Sequence, residues 1–302
     1  MLITILTPSY NRAHTLNRLY KSLLRQTNKN FEWLIVDDGS TDNTKKVVDS
    51  FINDNKISIN YIFQLNGGKH RALNTGIKNI DSELTFIVDS DDFLKNDAVE
   101  NIEFFYNKYK DDKTICGFSF LRCFLNGNIN GPLFKENEYK SDYITCRINE
   151  KNWGDKAEVY YTYILKKYPF LEVEGEKFLS ECYVWGQIAE KYDMIHINKA
   201  IYVGEYLDDG LTSNMNIRKY NSPIGYSSTF NMMCNNKTNL INKIKFTLIY
   251  AAYSYIAKIS ILNQFKKSRS KILYILLFPF GLLYMFYIKN RLKKGHISGK
   301  RE

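Results

Sequence analysis

Residues 1–95 alternate short apolar runs with helical patterns, and this order constrains the fold more than any other feature of the chain. Thr15–Gln26 places apolar side chains three and four positions apart, as an amphipathic helix does. The same spacing predicts helices after Thr41 and over Lys69–Asn79. Such an order predicts an α/β fold with a mostly parallel, Rossmann-like sheet and helices on both faces. The predicted parallel strands are Leu2–Thr7, Phe31–Val36, Ile57–Phe63 and Leu84–Val88.

Four polar loops follow these strands, and a parallel sheet would bring all of them to one edge. Ligands of open α/β sheets bind at this edge, beyond the carboxyl ends of the strands. The sequence contains neither a Walker phosphate loop nor a GxGxxG fingerprint. This absence argues against a Walker-type nucleotide-binding protein and against a dinucleotide-binding protein. The loops are Thr7–Asn11, Asp37–Ser40, Gln64–Lys69 and Asp89–Asp92.

Two of these loops are acidic, which indicates the kind of ligand. Asp89–Asp92 puts three carboxylates into four residues at the end of a buried strand, and Asp37-Asp38 ends an earlier strand. Like charges this close are costly unless a cation balances them. A divalent cation bound to a diphosphate would supply that balance. The two loops therefore predict a sugar-nucleotide site.

Positive charge is concentrated at the C-terminal end of the chain. Residues 241–302 carry 13 of the 42 Lys and Arg residues and a single acid, a net charge of +12, whereas residues 1–240 carry −2. A basic segment of this kind attracts either nucleic acid or an anionic membrane surface. The apolar content of the segment distinguishes between these two partners.

The C-terminal segment combines its charge with a long apolar run. Residues 239–265 have the spacing of an amphipathic helix, and Ile272–Ile288 is uncharged over 17 residues. Pro279 lies inside that run and predicts a break in the helix. Because basic clusters flank the run, we expect it to lie in a membrane interface rather than to span the bilayer or to dock onto the rest of the chain. Basic residues that bracket an apolar run do not form a polar groove, so no nucleic-acid partner is expected.

Cysteine usage and the N-terminal residues indicate the compartment. The five cysteines are an odd number without a CxxC pair, which favours a reducing compartment and no disulfides. Met1–Thr7 lacks the basic region and the length of a signal peptide and fits a first strand better. We therefore expect a cytoplasmic protein that associates peripherally with the inner face of the cell membrane.

An ordered set of motifs occupies the predicted loops. It consists of Thr7-Pro8-Ser9-Tyr10-Asn11-Arg12, Val36-Asp37-Asp38-Gly39-Ser40, Asn74 and Val88-Asp89-Ser90-Asp91-Asp92. In this order and spacing the set closely resembles the nucleotide-sugar half of family 2 glycosyltransferases, the inverting enzymes of GT-A fold. Glu181–Trp185 and Glu205–Thr212 resemble the acceptor half of bacterial surface-polysaccharide members. The resemblance covers about residues 1–215.

The resemblance implies a nucleobase pocket between the first two motifs. Asp38, or Asp37, would accept a hydrogen bond from N3–H of uracil or thymine. Tyr10 would supply an aromatic face for the base. The residues that would line the pocket are Pro8, Ser9, Tyr10 and Asn11.

The resemblance also implies a site for the ribose, the diphosphate and a metal ion. Asp89 would bind the ribose hydroxyls, with Ser90 beside it in the same cofactor-binding loop. Lys69 and Arg71 would lie near the diphosphate or the base edge. Asp91 would ligate Mn²⁺ or Mg²⁺, which prefer hard oxygen ligands and would stabilise the departing diphosphate.

Inversion at the sugar requires a base that deprotonates the acceptor hydroxyl. Many relatives carry Glu-Asp at the start of an acceptor-side helix, and the Asp is the base, whereas this chain has Glu181-Cys182. Glu181 is therefore our first candidate for the base, in the first turn of a helix predicted over Ser180–Lys191, and a short strand is predicted after it at Ala200–Tyr206. Asp155 and Asp209 are further candidates for the base in the acceptor site. Trp185 is either a platform for the acceptor sugar or a core residue.

These features predict a GT-A glycosyltransferase domain over residues 1–238, with a nucleotide-sugar half (1–96) and an acceptor half (97–238), followed by a basic, apolar helical extension (239–302). The expected reaction transfers a sugar from a nucleoside-diphosphate sugar, with UDP favoured, to a hydroxyl of a surface-polysaccharide or lipid-linked glycan. Cys182 leaves open a non-catalytic nucleotide-sugar-binding module. A sugar nucleotidyltransferase would need a glycine-rich phosphate loop, and Thr7–Arg12 has no glycine.

Overall fold

The computed structural model describes residues 1–205 and 215–298, and the chain divides into two compact units. The first unit comprises Met1–Phe170 and Lys191–Tyr206, and the second comprises Leu171–Glu190 and Leu207–Glu302. The division at residues 96 and 238 rests on motifs and composition, and it stays a prediction.

The first unit opens with the predicted alternation of strands and helices. β1 pairs in parallel with β2 and with β4, and β2 pairs in parallel with β3. The predicted α/β fold is therefore confirmed, with bounds that differ by one or two residues. These elements are β1 (Ile3–Ser9), α1 (Leu16–Leu24), β2 (Phe31–Asp37), α2 (Thr44–Asp54), β3 (Ile59–Phe63), α3 (Lys69–Lys78) and β4 (Leu84–Ile87).

Apolar burial explains this layered arrangement. Every residue of β1 is buried, and in β2 only Glu32 is not fully buried. α3 lies so close to β1 that a Cβ on Gly76 would overlap the Leu6 side chain. Strands that are buried on both faces require helices on both sides of the sheet. The packed layers give the loops at the carboxyl edge a rigid support.

The remaining strands of the first unit extend the same sheet. Its order is β3-β2-β1-β4-β8-β6-β9-β5, and β7 pairs with β9. β8 is antiparallel to β4 and β6, whereas β6 and β9 are parallel. These elements are β5 (Phe93–Leu94), α4 (Ala98–Tyr109), β6 (Ile115–Cys123), β7 (Glu138–Ser141), a π-helical turn (Ile144–Asn149), β8 (Lys156–Tyr161), α5 (Thr162–Leu165) and β9 (Asp193–Val203).

β9 starts seven residues before the strand predicted at Ala200–Tyr206. The sequence obscured its first half because polar and charged side chains interrupt the apolar residues there. His196 is fully buried, and its Nε2 donates a hydrogen bond to the Ser141 carbonyl at 3.1 Å. Pairing with β6 and β7, which are distant in sequence, stabilises this half of the strand.

The second unit is helical in its described residues. The predicted helix 239–265 is two helices, because Lys258 adopts a left-handed conformation (φ 57°) and Ser260 caps the following helix. The predicted helix Ser180–Lys191 is shorter than expected. The helices are α6 (Cys182–Ile188), α7 (Met215–Asn221), α8 (Pro223–Met233), α9 (Leu240–Ile256), α10 (Ile261–Lys267) and α11 (Lys271–Ser298).

The predicted break at Pro279 is wrong, because α11 continues through it. α9 supports the helix at this point. The Tyr255 hydroxyl donates a hydrogen bond to the Phe278 carbonyl at 3.2 Å, and a Cβ on Gly281 would overlap Ala251. Contacts with a neighbouring helix can thus stabilise a helix that contains a proline. Within the described residues, Lys271–Leu292 is long and apolar enough to cross a membrane by length and composition alone.

Candidate active site

The carboxyl ends of β1, β2 and β4 bring the predicted loops of the first unit together. Ser9 at the end of β1 lies beside Asp37 at the end of β2. Val88, which follows β4, donates a backbone hydrogen bond to the Leu6 carbonyl of β1 at 2.9 Å. The loop Asp89–Asp92 therefore starts at the same edge, as the strand order predicted.

Three carboxylates of this loop form a cluster that can hold a cation. One oxygen from each of Asp89, Asp91 and Asp92 lies within 4.8 Å of the others. Asp92 is buried, whereas Asp89 and Asp91 are half-buried and accessible. Hard carboxylate oxygens at this spacing suit Mg²⁺ or Mn²⁺. Only Asp91 was predicted as a metal ligand, although Asp92 belongs to the same sequence motif.

Each acid of the cluster also faces a basic side chain. Lys69 Nζ lies 2.6 Å from Asp89 Oδ1, and Arg12 Nη2 lies 3.8 Å from Asp91 Oδ2. Burial raises the pKa of Asp89, but the charges of Lys69, Arg122 and Arg12 outweigh burial and hold that pKa below its ordinary value. Asp89 is therefore ionised at neutral pH.

The basic side chains do not fully balance the acids. Burial, and then the negative charge of Asp89, raise the pKa of Asp91 above its ordinary value. The same two causes, in the same order, raise the pKa of Asp92. The second cause, repulsion by the Asp89 carboxylate, indicates excess negative charge in the cluster. A bound divalent cation would remove this excess, so the residues fit such an ion.

Arg122 connects the acidic loop to Asp155, and sequence reasoning missed this residue. Its Nη2 lies 3.2 Å from Asp92 Oδ1, and its Nη1 lies 3.3 Å from Asp155 Oδ2. Tyr202 of β9 donates a hydrogen bond to Asp92 Oδ2 at 2.8 Å. An arginine inside the apolar run of β6 was a usable signal for Arg122. Tyr202 gave no local signal, because only the fold brings it to the loop.

The two acids after β2 have different surroundings, which bears on their predicted role at the nucleobase. Asp38 is buried, and its carboxylate accepts four hydrogen bonds of 2.7–3.1 Å from the β3–α3 loop. Asp37 is also buried, and it accepts from the Ser40 N–H at 2.8 Å and from the Tyr61 hydroxyl at 2.7 Å. A carboxylate offers about four acceptor positions. Asp38 therefore organises the loop, and Asp37 keeps more accepting capacity. The donors to Asp38 are Gln64 Nε2, Asn66 Nδ2, Gly67 N and Gly68 N.

The residues after β1 form the rim of this edge. Asn11 has a positive φ of 53°, and its side-chain oxygen accepts from the Thr41 N–H at 2.8 Å, so it ties two loops together. Tyr10 is 48% exposed and has a ring face that a nucleobase could stack on. Pro8 and Ser9 are buried at the end of β1.

The loop before α3 and the start of that helix bring basic groups to the same edge. Lys69 is the first residue of α3 and reaches Asp89, as described above. Arg71 lies in the first helical turn and is half-buried, and Ser90 is buried inside the acidic loop. Asn74, a further motif residue, exchanges two hydrogen bonds of 2.8 Å with the Phe170 backbone and fixes α3 within the unit.

The predicted acceptor-side residues belong mostly to the second unit. Glu181 is the half-buried residue that precedes α6, one position earlier than the first-turn place predicted for it. Trp185 is only 7% exposed, which agrees better with packing than with an open platform. Asp209 lies outside the described residues. Arg122 joins Asp155 to the acidic loop of the first unit.

Comparison with known proteins identifies the family. The model of Glycosyl transferase family 2 matches residues 4–156, just over half of the chain, and the chain belongs to this family. Glycosyltransferase GlyG of Streptococcus pneumoniae is 39% identical over 103 residues, which are 33% of this chain and 34% of that protein. The matched stretch thus spans about a third of this relative's length.

Solved structures show the same fold. TarS 1–349 of S. aureus in complex with UDP has a TM-score of 0.61 at 18% identity, covering 99% of this chain and 92% of that one. The mannosyltransferase PcManGT of Pyrobaculum calidifontis in complex with GDP-Man and Mn²⁺ has a TM-score of 0.58 at 16% identity, covering 99% and 88%. The predicted family and GT-A fold are confirmed.

Proposed function

We propose that this protein transfers a sugar, with inversion, from a nucleoside-diphosphate sugar to a hydroxyl of a glycan acceptor. The observation that carries the proposal is the cluster of Asp89, Asp91 and Asp92, which is surrounded by Lys69, Arg12 and Arg122. A nucleoside-diphosphate sugar requires carboxylates that bind a cation and positively charged side chains that bind the diphosphate.

UDP is the favoured donor nucleotide. The buried Asp37 keeps accepting capacity for N3–H of uracil, and the exposed Tyr10 offers a stacking face. In solved structures of similar fold, TarS is in complex with UDP or UDP-GlcNAc, whereas PcManGT is in complex with GDP-Man. The preference for UDP therefore rests on the Asp37 carboxylate and on the similarity of fold to TarS.

In the proposed reaction, different residues of the chain bind the cation, bind the phosphates and take the proton of the acceptor. Asp91, with Asp89 and Asp92, would hold Mn²⁺ or Mg²⁺, which supplies positive charge to the leaving diphosphate. Lys69 and Arg12 would contact the phosphates once a donor replaces their present acidic partners. The acceptor oxygen bonds to the anomeric carbon, and the bond from that carbon to the diphosphate breaks with its electron pair. A carboxylate takes the proton of the acceptor hydroxyl.

Two residues, Glu181 and Asp155, are candidates for the catalytic base, and substitutions of both can be compared directly. Glu181→Gln and Asp155→Asn each replace one carboxylate by an amide of similar size. The variant that lacks the base should lose transfer by about 100-fold or more while donor affinity stays within about twofold, because the base acts only on the acceptor. Transfer rates and donor titrations of both variants would check this. If both variants kept full activity, both assignments would be wrong and Asp209 would be the next candidate.

We also propose that the second unit holds the enzyme on the inner face of the cell membrane, near a surface-polysaccharide or lipid-linked acceptor. The support is the apolar, exposed length of α11 together with the basic residues around it. A peripheral position requires only that one face of the helix enters the interface.

The first test is a donor screen by thermal shift and hydrolysis, with Mn²⁺ and with UDP-, GDP- and dTDP-sugars. A donor at 100 times its Kd should stabilise the folded chain by about 2.7 kcal/mol. EDTA and Asp91→Asn should both remove this effect, and turnover should fall by about 100-fold or more. Asp111→Asn, which removes an exposed carboxylate of the first unit, is the matched control and should behave like wild type.

The outcomes of the screen distinguish the candidate functions. Donor-dependent transfer to a glycan supports the proposal. Donor binding without transfer to any oligosaccharide or lipid-linked acceptor would indicate a non-catalytic nucleotide-sugar-binding module. The absence of any shift with every donor tested would contradict the proposed function.

A further inference from the structure

A cavity of about 560 Å³ opens beside the acidic loop of the first unit and has no part in the donor site described above. One wall is α1, and the opposite wall is β5 with the two residues that follow it. Phe93 and Leu94 of β5, with Val203 of β9, make part of its surface apolar. Leu94 and Val203 are buried, so this wall is a fixed part of the core.

The cavity is strongly basic. Four of its lining residues are cationic, and none of its described lining residues is acidic. Lys21, Arg25 and Lys95 are exposed, and their side chains form no hydrogen bond or ion pair within residues 1–205 and 215–298. Apolar walls focus the field of nearby charges and raise the local concentration of anions. An ordinary solvated helix face lacks such a concave wall.

Arg18, the fourth cation, connects this cavity to the acidic loop. Its guanidinium lies 5.1 Å from the centre of the Phe93 ring, and its Nη2 donates a hydrogen bond to the Asp91 carbonyl. Its Nη1 is 4.0 Å from Glu205, at the limit of an ion pair. Arg25, the residue that caps the C-terminus of α1, follows Arg18 by seven positions, which corresponds to about two helical turns or 10 Å. The basic surface thus extends from the acidic loop to a point about 10 Å away.

We propose that this cavity binds a phosphate-bearing group of the acceptor, an inference that rests on the proposed transferase function. Three of the four positive charges, those of Lys21, Arg25 and Lys95, have no acidic partner within the described residues, which exceeds what one carboxylate would neutralise, whereas a diphosphate or successive phosphodiesters would match them. The arginines can bind phosphate oxygens in a bidentate manner, and the lysines act as point charges. The phosphates can come from a lipid-presented group or from a phosphate-containing glycan, and the chemistry is the same.

The proposal is tested with two phosphate probes and the full chain. Isothermal titration with inorganic tripolyphosphate measures binding in solution, and EDTA is present so that metal-dependent binding at the acidic cluster does not contribute. Sedimentation with phosphatidylcholine vesicles, with and without phosphatidylglycerol, measures binding to lipid-presented phosphate. Lys21→Glu combined with Arg25→Glu reverses two exposed charges of the cavity. Lys46→Glu combined with Lys78→Glu reverses two exposed charges elsewhere in the first unit.

The Lys21→Glu/Arg25→Glu variant should bind tripolyphosphate at least about tenfold more weakly than wild type, whereas the control should change by less than about twofold. Loss of binding to the phosphatidylglycerol vesicles in this variant, relative to the control, would identify lipid-presented phosphate as the source. Loss of tripolyphosphate binding alone would identify a phosphate-containing glycan. If neither probe distinguished the two variants, the proposal would be overturned. Because neither probe requires a sugar nucleotide or a metal, this result is independent of the donor screen.

Discussion

Arg122 is the residue on which the charge balance of the acidic loop depends. It is buried, and it holds Asp92 on one side and the half-exposed Asp155 on the other. Its guanidinium also lies 5.3 Å from the ring centre of Tyr202, whose hydroxyl bonds to the same Asp92. Asp92 would otherwise be a buried carboxylate beside two other acids. Arg122 therefore stabilises the loop in the arrangement that the proposed donor site requires.

Arg122→Met should lower the free energy of unfolding by about 3–5 kcal/mol, because it removes one partner of a buried pair and leaves the other uncompensated. Urea unfolding at pH 7 measures this change. Adding Asp92→Asn to the variant should restore part of the loss, since the uncompensated charge is then removed. Lys45→Met, which breaks an exposed pair with Asp49, is the control and should cost less than about 1 kcal/mol. A loss for Arg122→Met no larger than the control's would contradict this role.

At the scale of elements, the loop between β3 and α3 is held by one side chain of another loop. Asp38 accepts hydrogen bonds from the Gly67 N–H at 2.9 Å and from the Gly68 N–H at 2.7 Å. The φ of Gly68 is 99°, a conformation that favours glycine, and the next residue starts α3 and carries the lysine that faces Asp89. The position of Lys69 therefore depends on the conformation that Asp38 enforces.

Asp38→Ala should lower the free energy of unfolding by about 1–3 kcal/mol, because the buried donors of the loop lose their acceptor. Amide hydrogen exchange at Gly67 and Gly68 should become faster, and donor affinity should fall because Lys69 is less well positioned. Asp42→Ala is the comparison, since Asp42 also accepts backbone hydrogen bonds, but from Ala13 and Thr44. Unchanged exchange at both glycines in Asp38→Ala would show that the loop does not need this carboxylate.

At the scale of the whole molecule, the positive charge and the exposed apolar surface belong to the same C-terminal segment. α11 packs one stripe of side chains, which includes Tyr274, Gly281 and Met285, into the second unit. Its other side is apolar and exposed, and lysines and arginines flank the apolar run Ile272–Ile288. An interfacial helix has this combination of properties. The exposed apolar side chains of α11 include Ile272, Ile275, Leu276, Phe280, Leu283 and Phe286.

Leu283→Glu combined with Phe286→Glu should reduce binding to phosphatidylglycerol-containing vesicles by about tenfold or more, because each change removes an apolar side chain from the interface. Sedimentation measures the bound fraction, which should also fall in wild type as the ionic strength rises. Phe104→Glu changes an exposed phenylalanine of α4 in the first unit and serves as the control. Equal binding by the control and by the double variant would refute membrane contact through this face.

The sequence by itself determined the α/β order, the edge at which the polar loops meet and the family to which the chain belongs. Local patterns suffice for these features, because apolar periodicity selects strand or helix and parallel strands share one carboxyl edge. Tertiary structure decided which side chains surround the acidic loop. Arg122 and Tyr202 reach Asp92 only through pairing of β6 and β9.

Two predictions about helices of the second unit are wrong, and their physical reasons differ. Pro279 does not end α11 because α9 packs against the helix there, and this contact is not visible in the local sequence. The helix predicted over residues 239–265 divides because Lys258 adopts a left-handed conformation and Ser260 starts a new helix. Propensity is a local preference of a few tenths of a kcal/mol to about 3 kcal/mol per residue, and packing between distant segments can exceed it.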